Sequence, residues 1–253
     1  NPENEKTLLA DLSWLYFGLP KNAVENFRYE NASAWSKNYL AALYRSQKNT
    51  VMTEIFNHES NFYDNEKQLL NMKAFLSKAN KTELEKIGAS TYEIKLADIN
   101  YFQAVKATFD NKIPEAIAFM KQSDKLQNTV FYGNPFLGNI KDCHDCDHQA
   151  TQKKKYTMLD FLTIIQKMQS DIAKKVDVYN NSLLLGHAFY NITHFGNGRL
   201  FYEGNIAGSG STPDFFRDPI REMITDCSLA KAYYQKAFSA AKNNEQRAKT
   251  QYM

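Results

Sequence analysis

Small residues at helical spacing constrain the fold of this chain more than any other feature of its sequence. Ala230, Tyr234 and Ala237 lie on one face of a predicted helix, with the aromatic ring between two alanines. Gly186 occupies a comparable small position in an earlier apolar segment. Small side chains let two helix axes approach closely, while larger neighbours fill the space on either side. We therefore predict paired antiparallel helices that cross at these positions.

Helical periodicity extends over nearly the whole chain, and no convincing alternation of apolar and polar residues predicts a strand. The clearest helix begins after Thr157, whose hydroxyl can cap the backbone while Asp160 favours the positive helix end. Its apolar side chains recur every three or four residues, so this face is expected to pack on another helix. The stripe consists of Met158, Phe161, Leu162, Ile165, Met168, Ile172 and Val176. The fold class is therefore predicted to be all-α.

A further pair of helices is predicted between residues 92 and 122. The first helix carries Ala104, and residues 110–112 form the turn. Pro114 fits the first turn of the second helix, because that position needs no amide proton. Ala116 follows Ala104 by twelve residues across this turn. We predict that the two alanines lie at a second close helix crossing.

A small residue on one helix, followed twelve positions later by an alanine on the next, resembles the tetratricopeptide repeat. The segment 134–148 is also similar to one found in large tetratricopeptide-like proteins of Bacteroidetes, a resemblance that implies no activity. The repeat resemblance implies an α-α superhelix of stacked helical hairpins over residues 91–253, preceded by helical hairpins over residues 1–90 that depart from the pattern. Within the repeats we expect a cysteine-bearing loop at 131–156. Residues 196–226 are interpreted as a flexible insertion, because glycine, serine and proline are frequent there.

The resemblance also predicts a function, because stacked helical repeats commonly present a concave surface to a protein or peptide. The chain is therefore expected to be a protein–protein interaction scaffold. First-helix side chains line such a surface, and asparagine and tyrosine suit it because they combine polar groups with contact area. The resemblance places there Asn180, Leu183, His187, Tyr190 and Asn191 when Gly186 is the close-packing residue, and Asp98, Tyr101, Val105, Thr108 and Phe109 when Ala104 is. The alternative is that His187 and Tyr190 are simply packed between neighbouring helices.

The segment Cys143–His148 is unusually rich in cysteine and histidine. Two cysteines separated by two residues can bind one metal ion, and a histidine can add an imidazole, so zinc is the candidate cofactor. The candidate ligands are Cys143, Cys146, His144 and His148, with Cys227 as a further one. A disulfide, an inert loop and a hard cation held by the intervening aspartates stay open. The alternative function is a metal- or thiol-dependent enzyme centred on this loop.

Charge and hydropathy exclude two classes of partner. Lys and Arg number 31 against 28 Asp and Glu, and neither sign dominates a long block, so nucleic acid is not an expected partner. The most apolar window, 183–192, is short and interrupted by His187, so no membrane span is predicted. The chain begins at Asn1 without a signal-peptide pattern and ends in a helix predicted from Glu245, so we expect a fragment of a longer protein. The compartment then stays open, including a periplasmic or outer-membrane-associated one.

Overall fold

The computed structural model describes residues 27–138 and 154–253. Within these residues all regular elements are helices, apart from isolated β-bridges between Val130 and Thr157 and between Gly204 and Gly208. The predicted all-α class is therefore confirmed. No helix in the described part of the chain is long and apolar enough to cross a membrane. The chain divides after Leu96 into two compact units.

Three helices of the first unit begin after polar residues whose side chains accept backbone amide protons. Asn49 caps one helix, Asn65 caps the next, and Thr82 forms a capping box with Glu85. The elements are α1 (Phe27–Ser46), α2 (Thr50–Phe56), a 3₁₀ turn (Phe62–Asp64), α3 (Glu66–Ser77) and α4 (Glu83–Thr91). The predicted domain boundary after residue 90 falls within the last turn of α4.

A buried carboxylate connects the elements of the first unit. Glu54 on α2 is 1% exposed, and such a group is costly to bury unless its oxygens accept hydrogen bonds. The Tyr92 hydroxyl donates to it at 2.6 Å, the Glu59 amide donates at 2.8 Å, and the His58 ring contacts it through Nδ1. Tyr92 is in turn hydrogen-bonded to the Tyr63 hydroxyl. The network therefore links the end of α4 to α2 and the 3₁₀ turn.

The second unit contains the segments in which the repeat pattern is strongest. Its α-helices are α5 (Leu96–Phe109, whose first residue is the last of the first unit), α6 (Ile113–Met120), α7 (Met158–Ala173), α8 (Val178–Asn191), α9 (Asp218–Thr225), α10 (Ser228–Ala240) and α11 (Asn244–Tyr252). Its 3₁₀ turns are Asp124–Asn128, Arg199–Phe201 and Pro213–Phe215.

The start predicted for α7 is confirmed in detail. The Thr157 hydroxyl accepts the Asp160 amide proton at 3.1 Å, and the Asp160 carboxylate accepts the Thr157 amide proton at 3.2 Å. The predicted apolar stripe is buried from Met158 to Ile172. Val176, its last predicted member, lies after the end of α7 and is exposed.

The α8 and α10 helices have the most extensive helix–helix contact of the second unit. A Cβ atom added to Gly186 on α8 would lie 2.5 Å from Cε1 and 2.6 Å from Cδ1 of Tyr234 on α10. Only glycine therefore leaves room for this ring. Ala230 and Ala237 of α10 are also buried, as the small, aromatic, small pattern predicts. Tyr179, Leu183, Ala237 and Ala241 form a buried apolar cluster on which Tyr234 packs.

The second predicted crossing differs from this arrangement. Ala104 on α5 and Ala116 on α6 are both completely buried, and the turn between the helices falls at the predicted residues. However, the extensive helix contact of α6 is with α7 rather than with α5. The twelve-residue spacing across the turn therefore predicted the burial of both alanines. It did not predict which helix packs against each of them.

Residues 196–226 contain more buried residues and more helical structure than their composition predicts. Phe201 and Ile224 are fully buried, and Tyr202 is 1% exposed. The segment also contains the whole of α9 and two of the 3₁₀ turns. The glycines break the helical pattern, but the aromatic and aliphatic residues between them are part of the core. These residues pack the segment into the second unit, and its flexibility stays a prediction.

Candidate functional site

The structure brings four of the five partner-binding residues predicted around Gly186 to one surface of the second unit. Asn180, Leu183 and His187 line a cavity of about 450 Å³, and Tyr190 lines a second cavity of about 320 Å³. Met253 lines both cavities, so the two are adjacent. We call this surface the α8/α10/α11 groove.

The larger cavity lies between α8, the end of α11 and the segment before residue 139. Its walls include Leu184, Phe136 and Lys249. Gly138 lies directly on the His187 ring, because a Cβ at this position would come within 2.7 Å of Cε1 and Nε2. Close backbone approach at Gly138 therefore forms one wall of the cavity.

The smaller cavity is formed by α8, α10 and α11. Its walls include Ala230, Tyr234 and Phe238 of α10, together with Thr250 of α11. Phe238 is 42% exposed. Most of the wall is apolar, and the side-chain amides of Gln235 and Gln251 also border the cavity. Neither of these amides hydrogen-bonds to a residue within the described ranges.

His187 and Tyr234 together separate the two cavities, since His187 lines one and Tyr234 lines the other. The Tyr234 hydroxyl lies 2.9 Å from Nδ1 of His187, and the two rings meet edge to face. Burial, with a smaller contribution from Lys249, lowers the pKa of His187 to about 4. Burial also raises the pKa of Tyr234 above its ordinary value. Both groups are therefore uncharged at neutral pH.

Two lysines determine the charge of the groove. Lys249 lines the larger cavity and Lys231 lines the smaller one, and both are exposed. Neither forms an ion pair with another described residue. The described residues that line the two cavities include no aspartate or glutamate. The groove is therefore apolar with positive charge at its edge.

Asn191, the fifth residue of the predicted set, has a structural role instead. Its side chain is completely buried. Nδ2 donates to the carbonyl oxygens of Pro135 at 3.0 Å and Leu137 at 2.8 Å, and Oδ1 accepts the Asn197 amide proton at 3.2 Å. No part of this amide is available to a partner, because α8 ends here and Asn191 holds the neighbouring chain segments against it. Its assignment to the binding surface is wrong.

The set predicted on α5 is divided in the same way. Thr108 is completely buried, and its hydroxyl donates to the Ala104 carbonyl, so it does not face a partner. Tyr101 is 7% exposed and donates to the Phe201 carbonyl at 2.9 Å. Asp98 is half-buried and accepts a hydrogen bond from Asn205 at 3.0 Å. These contacts anchor the 196–226 segment on α5, so Asp98 and Tyr101 lie against that segment.

A third cavity, of about 210 Å³, lies where α5 meets this segment. Asp98, Tyr101 and Val105 line it from α5, and residues 202–207 line it from the other side. Burial raises the pKa of Tyr101, and the nearby Glu203 carboxylate raises it further. The contribution of residues 202–207 was missed from the sequence, because glycine and asparagine there indicated a loop rather than a wall.

The Cys143–His148 loop lies outside the described residues, so Cys143, Cys146, His144 and His148 stay predictions as zinc ligands. Cys227 is described: it has a free thiol, lies at the start of α10 and lines the smaller cavity. Burial raises the pKa of this thiol. Across residues 27–138 and 154–253, no group of three or more His, Cys, Asp or Glu side chains is arranged to hold a metal ion.

Comparisons of the chain with protein-family models, curated protein sequences and solved structures return no match. The tetratricopeptide resemblance therefore stays a prediction, and the site must be interpreted from its own geometry.

Proposed function

We propose that the protein is a scaffold that binds a peptide segment of another protein in the α8/α10/α11 groove. The observation that supports this most directly is the pair of adjacent, open and mostly apolar cavities on one helical surface. Peptide recognition commonly relies on pockets that receive apolar side chains together with polar groups that fix the backbone. The groove offers both.

Two exposed apolar side chains support the assignment. Leu184 is 37% exposed and borders the larger cavity, and Phe238 is 42% exposed and borders the smaller one. A single exposed leucine or phenylalanine needs no explanation on a protein surface. Here, however, Leu184 and Phe238 each extend the apolar wall of a cavity. Peptide side chains bound in the two cavities would therefore remove Leu184 and Phe238 from water.

The polar groups of the groove support the proposal that a peptide backbone binds there. Gln235 and Gln251 carry side-chain amides without intramolecular partners among the described residues. An amide supplies both a donor and an acceptor, which matches the N–H and C=O of a peptide unit. Asn180 borders the larger cavity, and its Nδ2 donates to the Asp177 carboxylate.

A peptide selection against the immobilised protein tests this function. A library of random twelve-residue peptides displayed on phage would be selected on the wild-type chain and counter-selected on the double variant Leu184→Ala/Phe238→Ala. Truncating interface side chains that carry binding energy costs about 1 kcal/mol or more each, so selected peptides should bind the variant at least tenfold more weakly.

A matched control uses two exposed apolar residues outside the groove. Val176 is 52% exposed and Phe215 is 70% exposed, and neither lines a described cavity. The double variant Val176→Ala/Phe215→Ala should bind the selected peptides as the wild type does. Selection that yields no peptide, or peptides equally weakened by the control pair, would contradict the proposed groove.

A further inference from the structure

We infer that the peptide bound in the α8/α10/α11 groove is acidic, with carboxylates next to its apolar anchor residues. This inference rests on the proposed function and adds the chemistry of the partner. Lys231 and Lys249 provide its basis, because each borders a different cavity of the groove.

Among the described residues that line the groove, the charged side chains are the two lysines. Both lysines are exposed and have no ion-pair partner within the described part of the chain, whereas other lysines, such as Lys78 and Lys167, are paired with carboxylates. Within residues 27–138 and 154–253, no acidic side chain lines either cavity. The whole chain carries a formal charge of only +3, so this local excess is not a consequence of an overall basic composition. Carboxylates in the partner could form ion pairs with both lysines, which would make the two surfaces complementary in charge.

The groove also distinguishes an acidic peptide from an acyl chain with a carboxylate head group. An acyl chain needs apolar walls and one cation. It makes no use of the exposed side-chain amides of Gln235 and Gln251 along the wall. A peptide backbone satisfies them. Charge on both cavities likewise favours a ligand with more than one carboxylate, which a peptide with several acidic residues provides.

Three pools of fluorescein-labelled twelve-residue peptides test the inference by fluorescence anisotropy. All three pools carry the same leucine and phenylalanine positions, and the remaining positions are filled with Glu and Asp, with Gln and Asn, or with Lys and Arg. An exposed ion pair contributes about 0.2–1 kcal/mol, so two pairs should make the acidic pool about twofold to thirtyfold tighter than the neutral pool. This preference should shrink as the salt concentration is raised from about 50 to about 500 mM, because salt screens the attraction between exposed charges.

Variants of the two lysines assign the preference to the groove. Lys231→Glu/Lys249→Glu should reverse it, so that the basic pool binds more tightly than the acidic one. Lys121→Glu/Lys125→Glu is the matched control, because it changes the net charge by the same amount at exposed positions that line no described cavity. The control should keep the preference of the wild type.

The outcomes separate the inference from the function on which it rests. Equal binding of all three pools, still weakened by Leu184→Ala/Phe238→Ala, would overturn the acidic partner while supporting peptide binding. A preference for the basic pool would overturn it too. No binding by any pool would contradict the proposed function itself. Binding of a fluorescent long-chain fatty acid in the absence of peptide binding would show that an acyl chain, not a peptide, occupies the groove.

Discussion

Replacing Gly186 by alanine tests the close approach of α8 and α10. Alanine in a helix is favoured over glycine by about 1 kcal/mol, so the substitution would stabilise a helix that had free space at this position. In this protein the new Cβ would lie 2.5 Å from Cε1 of Tyr234 and 3.0 Å from its Cγ. The ring must therefore move by roughly 1 Å to reach ordinary van der Waals contact.

The surroundings of Tyr234 restrict that movement. Its ring packs on the buried cluster that includes Tyr179 and Leu183, and its hydroxyl is hydrogen-bonded to His187 at 2.9 Å. Overpacking of this kind costs about 1–3 kcal/mol. After the helix-propensity gain is subtracted, Gly186→Ala should lower the free energy of unfolding by about 1 kcal/mol, within a range of about 0–2.

A double-mutant cycle measured by urea unfolding isolates the contact. In the background of Tyr234→Ala, which removes the ring, Gly186→Ala should instead stabilise the protein by about 1 kcal/mol. The matched control is Gly204→Ala in the same unit, because a Cβ there would have no neighbour closer than 3.9 Å. If Gly186→Ala stabilised the protein equally with and without the Tyr234 ring, the close approach of α8 and α10 would be refuted.

Two further predictions follow from buried polar groups. Asn191→Ala leaves buried carbonyl groups of the 131–138 segment without a donor, so it should lower the free energy of unfolding by about 2–4 kcal/mol; a loss below 1 kcal/mol would contradict its anchoring role. The folded-state pKa of His187, about 4, lies below its ordinary value, so its stabilising contribution is fully present above pH 6.5 and is lost as pH falls towards 4. Between pH 7 and 4.5 the wild type should lose about 2 kcal/mol more than His187→Gln, and equal losses would show that His187 protonates freely in the folded protein.

The sequence predicted local features of the fold well. The Thr157 cap and the turn before Ile113 follow from hydrogen bonding between nearby residues. The burial of Gly186, Ala230 and Ala237 follows from their small side chains at helical spacing. Such features depend on local geometry, so a single sequence carries the information needed to predict them.

Predictions that depended on contacts distant in sequence were less successful. Asn191 is on the predicted helix, but the segment around Pro135 covers it, and nothing in local spacing indicates that contact. The 196–226 segment was interpreted from its glycines, whereas Phe201 and Tyr202 determine its burial against residues such as Tyr101. Helical spacing assigned side chains to a helix face, but which faces stay open depends on chain segments far away in sequence.

Methyl NMR of the peptide complex tests the central claim most directly. A peptide from the selection would be titrated into protein with labelled alanine, leucine and methionine methyl groups. We predict large chemical-shift changes at Leu184, Ala230 and Met253, which line the two cavities of the groove, and no change at Ala207, which lines the cavity beside α5. Changes at Ala207 with unaffected signals from Leu184 and Ala230 would contradict the assignment of binding to the α8/α10/α11 groove.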